Sequence, residues 1–137
     1  MSEVEIPRND ANNCFVCGPG NSLGLQVRFA LEEGVCRGRF TPGENHCGFD
    51  GITHGDIIFS LLDDVMANFL FLQGHRCFTA KCEIRFRSQL PTGAEVSLEA
   101  SSVKEKRNVV VMEGVAKRAE TGEVVAESLA TFMIEKS

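Results

Sequence analysis

The stretch "GITHGDIIFSLLDDVMANFLF", residues 51–71, holds the residue types best able to do chemistry. His54 and Gly55 stand before a long apolar run, and two adjacent carboxylates, Asp63 and Asp64, interrupt its middle. If a helix begins near Gly55, its first amides have no partner inside the helix and carry partial positive charge. Glycine at that entrance lets a ligand approach the backbone, so the Gly55 N–H is placed to hold a developing oxyanion. A carboxylate further along is an acceptor for a water proton, or a nucleophile. Asp63 lies about 12 Å beyond Gly55 on a helix that rises about 1.5 Å per residue. One copy of the helix cannot direct both at the same carbonyl. Either the two groups act separately, or the carboxylate of one subunit meets the helix entrance of another. The plainer alternative is a turn and cap followed by an acidic pair that faces water.

The pair Cys14 and Cys17 in "CFVC" has the spacing of half a zinc site or of a redox couple. A closed zinc site needs about four ligands, and His46 and Cys47 follow no strong spacing relative to the pair. A loop pair with a packing role, and no metal, is the expectation. Cys36, Cys77 and Cys82 lie in apolar runs and read as small hydrophobes. Neither a "GxSxG" nucleophile elbow nor a phosphate-binding glycine loop is present.

Several elements must position these groups. Ile57, Ile58, Leu61, Leu62, Val65, Met66, Phe69 and Leu70 recur at helical spacing, with Gly74 as terminator. Asp56, Ser60 and Ala67 centre the opposite face, and Asp63 and Asp64 fall on its two flanks. Before the helix, "LQVRFALEEGVCRGRF" reads as a hairpin in which Val27, Phe29 and Leu31 alternate with polar residues. After it come four strand-like runs. In "FTAKCEIRFR", Phe78, Ala80, Cys82, Ile84 and Phe86 share one face, and Thr79 shares the other with Lys81, Glu83, Arg85 and Arg87. "LPTG" and "KEKRN" read as turns between consecutive strands, which predicts an antiparallel meander. The class is α+β: an antiparallel sheet of five to six strands folded against one long central helix. Residues 1–137 are expected to form a single domain, with residues 1–22 as an N-terminal loop segment.

The chain has 137 residues and 43% hydrophobic residues, enough for one core. Its "MSEVEIPRND" start is polar and acidic, unlike a secretory signal, and no apolar run is long enough to span a bilayer. A cytoplasmic protein without a disulfide framework or membrane association is expected. The net charge of −5 argues against nucleic acid as a partner. Residues 75–107 nevertheless hold 7 Lys/Arg against 4 Asp/Glu, a local surplus suited to an anionic ligand.

"GxxHG" before "LLDD", then "TAKCEIRFRSQLPTG" and a closing "VVAESLATFMI", resembles the hotdog-fold thioesterases, closest to the phenylacetic-acid-degradation type of acyl-CoA thioesterase. The likeness runs from about Leu23 to Ile134, and "NxCFxCGxxNxxGL" is similar to the N-terminal segment of many hotdog proteins. It implies a sheet wrapped around one helix and paired subunits, a dimer or a dimer of dimers, with sites at the interface. It further implies Asp63 as catalytic carboxylate, Gly55 as the amide that polarises the thioester carbonyl, His54 as the motif histidine beside it, and Thr79 as a hydroxyl that positions water. Cys47 and Gly48 occupy the place where relatives carry an amide side chain near the thioester. Asp64 is either a further substrate neighbour or structural. Arg87 is the first choice to meet the phosphates of coenzyme A, with Arg85, Lys104, Lys106 and Arg107 behind it. Coenzyme A is expected only as part of the substrate, and no cofactor besides. Two departures stand out. Asp56 replaces the second glycine of the usual His-Gly-Gly, and the upstream amide is missing. These leave a second reading, a non-catalytic acyl-CoA binding or sensing module.

Overall fold

Helical periodicity and strand alternation meet in a computed structural model that describes residues 11–135. The acidic N-terminal stretch discussed above, residues 1–10, lies outside the described residues, as do residues 136–137. The elements in chain order are β1 (Ala30–Glu32), β2 (Val35–Phe40), α1 (Gly55–Phe71), β3 (Cys77–Phe86), β4 (Val96–Lys106), β5 (Val109–Arg118) and β6 (Val124–Ile134).

The apolar stripe of α1 is buried as the spacing predicts: Leu61, Leu62, Val65 and Met66 are fully enclosed. Each such side chain contributes about 1.5–3 kcal/mol by leaving water. The helix stops because Leu72 and Gly74 fold back, their N–H groups donating to Asn68 O at 2.9 Å and Phe71 O at 2.9 Å. Its opposing surface comes from inward residues of β4, β5 and β6, among them Leu98, Met112, Ala130 and Phe132. At Gly114 the sheet comes especially close. A Cβ there would stand 2.8 Å from Ser128 Oγ and 3.3 Å from Met66 Cγ, so a side chain would push helix and sheet apart.

The six strands form one antiparallel sheet in the order β1-β2-β4-β5-β6-β3. This corrects the simple meander. β4, β5 and β6 do follow one another, but β3 lies beyond β6 at an edge and β2 pairs with β4. "LPTG" is therefore no hairpin turn. Residues 87–95 cross the end of the sheet, and their backbone is pinned on the way. Arg87 N donates to Val125 O at 2.8 Å, Leu90 O accepts from Thr53 N at 2.8 Å, and Gly93 N donates to Pro42 O at 2.7 Å. The connection thus forms a floor beneath the entrance of α1. "KEKRN" is likewise mostly strand: β4 runs to Lys106, and the reversal rests on Arg107 with φ of 57°.

Two further corrections concern alternation. β1 is shorter than the apolar pattern predicts. Gln26 sits at φ of 54°, and around it Leu25 and Val27 donate to Phe15 O and Val16 O, each at 2.8 Å. Val27 and Phe29 are still buried, against the N-terminal loop and helix rather than as a regular hairpin arm. In β3 the register against β6 slips between Thr79 and Lys81, leaving Ala80 as an extra residue. That bulge reverses the parity of the strand. Cys77 and Thr79 turn inward with Cys82 and Ile84, while Phe78 is exposed.

The N-terminal loop covers the side of α1 away from the sheet, with Val16, Cys17, Leu25 and Val27 buried in the same core. The helix is held between the two.

Candidate active site

Asp63 sits on the flank of α1 that faces β3. Thr79 Oγ1 donates to Asp63 Oδ1 at 2.6 Å, a contact that exists because the bulge turns Thr79 inward. Among the described residues the second carboxylate oxygen takes no hydrogen bond, which leaves it open to water or a reacting group. Cys77 and Cys82 pack nearby. Burial first, then the Asp63 charge, raises both thiols, Cys77 to about 11, with smaller additions from Asp64 and Glu135 for Cys77 and from Glu83 for Cys82. Both are neutral at physiological pH, as their hydrophobic packing requires.

At the helix entrance His54 is the N-cap, with extended backbone at φ −61° and ψ 135°. Its Nδ1 accepts from Asp56 N at 2.9 Å, so this ring nitrogen carries no proton and Nε2 is left to donate. The Gly55 N–H is the first of α1 and has no intrahelical acceptor. Among the described residues no other group accepts from it. The Asp56 carboxylate, which departs from the expected glycine, points to solvent with its side chain 93% exposed. Its backbone N–H, taken by His54, is not a second oxyanion donor.

A cleft of about 760 Å³ opens here, lined by Cys47, Gly48, His54, Gly55, Phe86 and Arg87 among others. Gly48 lies against the His54 ring, since a Cβ at Gly48 would be 3.4 Å from His54 Cδ2. Arg87 Nε donates to Glu127 Oε1 at 2.7 Å, which fixes the guanidinium at the rim and leaves its outer nitrogens to another acceptor. Lys104, Lys106 and Arg107 gather elsewhere, around a shallow hollow at the β4–β5 reversal.

The structure therefore brings the anticipated residues together in two groups. His54, Gly55, Cys47, Gly48 and Arg87 share the cleft, and Asp63 and Thr79 form a second centre further along the helix. Asp64 joins neither. It faces the N-terminal loop, where Cys14 Sγ donates to Asp64 Oδ1 at 3.8 Å and Asn68 Nδ2 donates to Asp64 Oδ2 at 3.0 Å. Three cleft residues escaped sequence reasoning. Gln89 supplies an amide side chain from the crossing connection, and Ser88 lies beside it. Thr53 Oγ1 is buried without a partner in the cleft wall. The polar "RSQ" that follows β3 was the available signal for the first two; Thr53 had none.

Residues 50–125 match the family model described as the thioesterase superfamily. Among curated proteins the chain is similar to acyl-coenzyme A thioesterase THEM5 of Mus musculus and of Homo sapiens, 27% identical to each over 116 residues. That alignment covers 85% of this chain and 46% of theirs, so the chain spans about half the length of the curated relatives it matches. Among solved structures it resembles the E. coli PaaI protein from the phenylacetic acid degradation operon, with a TM-score of 0.76 and 18% identity over 82% of each chain. It also resembles a hypothetical thioesterase from Streptococcus pneumoniae TIGR4, solved with coenzyme A. There the TM-score is 0.74 at 16% identity, covering 81% of this chain and 87% of that one. Two mutants of the pneumococcal protein have also been solved, with alanine for an aspartate and for a threonine sixteen residues further on.

Proposed function

The chain belongs to the thioesterase superfamily, and from that premise we propose that it hydrolyses an acyl-coenzyme A thioester at a site shared by two subunits. The observation that carries this reading is the Asp63–Thr79 pair, a carboxylate with one oxygen held by a hydroxyl at 2.6 Å and the other unengaged. It stands about 12 Å along the helix from the free Gly55 amide. A symmetric dimer that lays the helix entrance of one copy against the flank of another supplies both at once.

In this mechanism Asp63 takes a proton from water, and the oxygen attacks the thioester carbonyl carbon. The partner subunit's Gly55 N–H stabilises the oxyanion at a helix N-terminus. Collapse breaks the C–S bond, and the proton passes from Asp63 to the departing thiolate, giving a carboxylic acid and free coenzyme A. Thr79 keeps Asp63 aimed. His54 holds the first turn of α1 and offers Nε2 at the cleft. Arg87 meets a phosphate of the coenzyme at the rim, and Gln89 takes the place of the missing upstream amide. No dissociable cofactor enters this scheme. The setting we propose is cytoplasmic; among the described residues no helix is long and apolar enough to cross a membrane.

Subunit mixing tests the proposal. Asp63→Asn and Gly55→Pro homodimers should each be nearly inactive in a thiol-release assay with short, long and aromatic acyl-CoA substrates. Unfolded and refolded together at equal amounts, they should regain about a quarter of wild-type activity, because about half the dimers then hold one intact site of two. Recovery absent from mixtures that do form heterodimers overturns the shared site. A wild-type protein that binds acyl-CoA without releasing thiol instead selects a sensing module, the reading that Asp56 in place of glycine favours.

A further inference from the structure

The second flank of the central helix holds a cluster that the thioesterase reading does not use. Cys14, Cys17 and Asp64 place their ligand atoms within 4.8 Å of one another, and Cys17 is buried. We propose that Cys14, Cys17 and Asp64 bind a zinc-type divalent cation that ties the N-terminal loop to α1.

Three observations support the cluster as a metal site. First, the turn is shaped for it. The Cys17 amide donates to Cys14 Sγ at 3.5 Å, and Gly18 follows so tightly that a Cβ would lie 2.3 Å from Cys14 N. Amide donors directed at sulfur stabilise the thiolate form that a metal needs. Second, the spacing fits. In a tetrahedral ion with bonds of about 2.3 Å to sulfur and 2.0–2.2 Å to oxygen, ligand atoms lie about 3.6–3.8 Å apart. Cys14 Sγ and Asp64 Oδ1 are at 3.8 Å. Third, Asn68 braces the set from behind. It is 3% exposed, and its Nδ2 donates to Cys17 Sγ at 3.7 Å and to Asp64 Oδ2 at 3.0 Å.

Two thiolates and one carboxylate, with a water completing the tetrahedron, suit zinc better than calcium or magnesium, which prefer all-oxygen shells. Binding releases the two thiol protons and forms two metal–sulfur bonds, with one metal–oxygen bond to Asp64 and one to a water molecule. No electrons change hands. The resulting tie joins residues far apart in sequence, so it would act on the stability of the loop and the fixity of α1.

Cobalt replaces zinc as a visible probe. The full chain, reduced and stripped with chelator, should bind one Co²⁺ per chain, with near-ultraviolet thiolate charge-transfer bands and the visible bands of a tetrahedral site. Excess zinc should bleach them and raise the Tm by about 5–10 °C. Cys14→Ser should abolish the charge-transfer bands, and Asp64→Asn should weaken cobalt binding about a hundredfold or more. Cys47→Ser should leave them intact. Absence of the bands in reduced wild-type protein overturns the site, as does a spectrum unchanged by Cys14→Ser. If Cys14→Ser does not fold, unchanged cobalt affinity in Asp64→Asn overturns it. A Cys14–Cys17 disulfide that re-forms in place of metal binding assigns the pair to redox chemistry and likewise overturns the site.

Discussion

Asp63 and Asp64 are consecutive residues of α1, yet each meets a different part of the molecule. A step of about 100° turns one toward the bulged edge strand and the other toward the N-terminal loop. Asp63 has a single hydroxyl partner at 2.6 Å and an unengaged oxygen. Asp64 is surrounded by two sulfurs and a buried amide. A carboxylate with spare capacity is fit to take a proton or attack; one hemmed in by soft donors is fit to hold a cation or an architecture. Identical side chains thus acquire separate chemistry from their neighbours alone.

Substitutions separate the two flanks, and the largest effect is expected at Asp63. Asp63→Asn keeps the shape and the Thr79 contact but removes the base, and should lower kcat/KM for acyl-CoA hydrolysis by about 10³. Retention of near-normal turnover would leave the two aspartates equivalent. Next comes Gly55→Pro. Proline suits the first helical position, His54 is already extended, and a Cβ would only touch the Phe86 ring at 3.6 Å. The substitution therefore deletes one N–H with little strain, and kcat should fall about 10² to 10³, whereas Gly55→Ala keeps the amide and most of the rate. Thr79→Val should cost about 10- to 100-fold in kcat/KM, the worth of a hydrogen bond to a charged group, with Thr79→Ser restoring most of it.

The smallest effect is in stability against pH. Burial first and the Asp64 charge second push Cys36 up to about 12, and burial with both aspartates pushes Cys77 up to about 11. The folded chain thus keeps protons that the unfolded chain loses above its ordinary thiol value of 9.0. Stability from these thiols is fully present below that value and falls as pH rises from there through 11 and 12. The urea midpoint should fall less across this window in Cys36→Val than in wild type. An identical fall would remove Cys36 as a source of this pH dependence.

Much of this arrangement was legible in the residues, and the exceptions have physical causes. The helix and its Gly55 entrance follow from spacing, as does the placing of the acidic pair on two flanks. Thr79 shows the limit. Strict alternation sends it outward with Lys81, and only the likeness to other thioesterases places it near the site. One additional residue in a strand leaves no mark in composition, so the bulge was invisible. The position of β3 was hidden for another reason. A nine-residue connection with a turn-like "LPTG" suits a hairpin and a crossover equally well, and the choice depends on which long-range partner binds more surface. Asp64 met Cys14 across fifty residues of sequence, a pairing no local pattern announces. Cys36, Cys77 and Cys82 needed no such information, because apolar surroundings were enough to predict their packing.

Because α1 lies between sheet and loop as one stiff rod, its two acidic side chains swing together about the helix axis. A roll of about 10° about the axis carries a side-chain tip some 5–6 Å from that axis by about 1 Å. Both Asp side chains then shift by that amount. Displacements of that size are enough to spoil an aligned reaction. Whatever grips Asp64 on the quiet side therefore sets the aim of Asp63 on the working side.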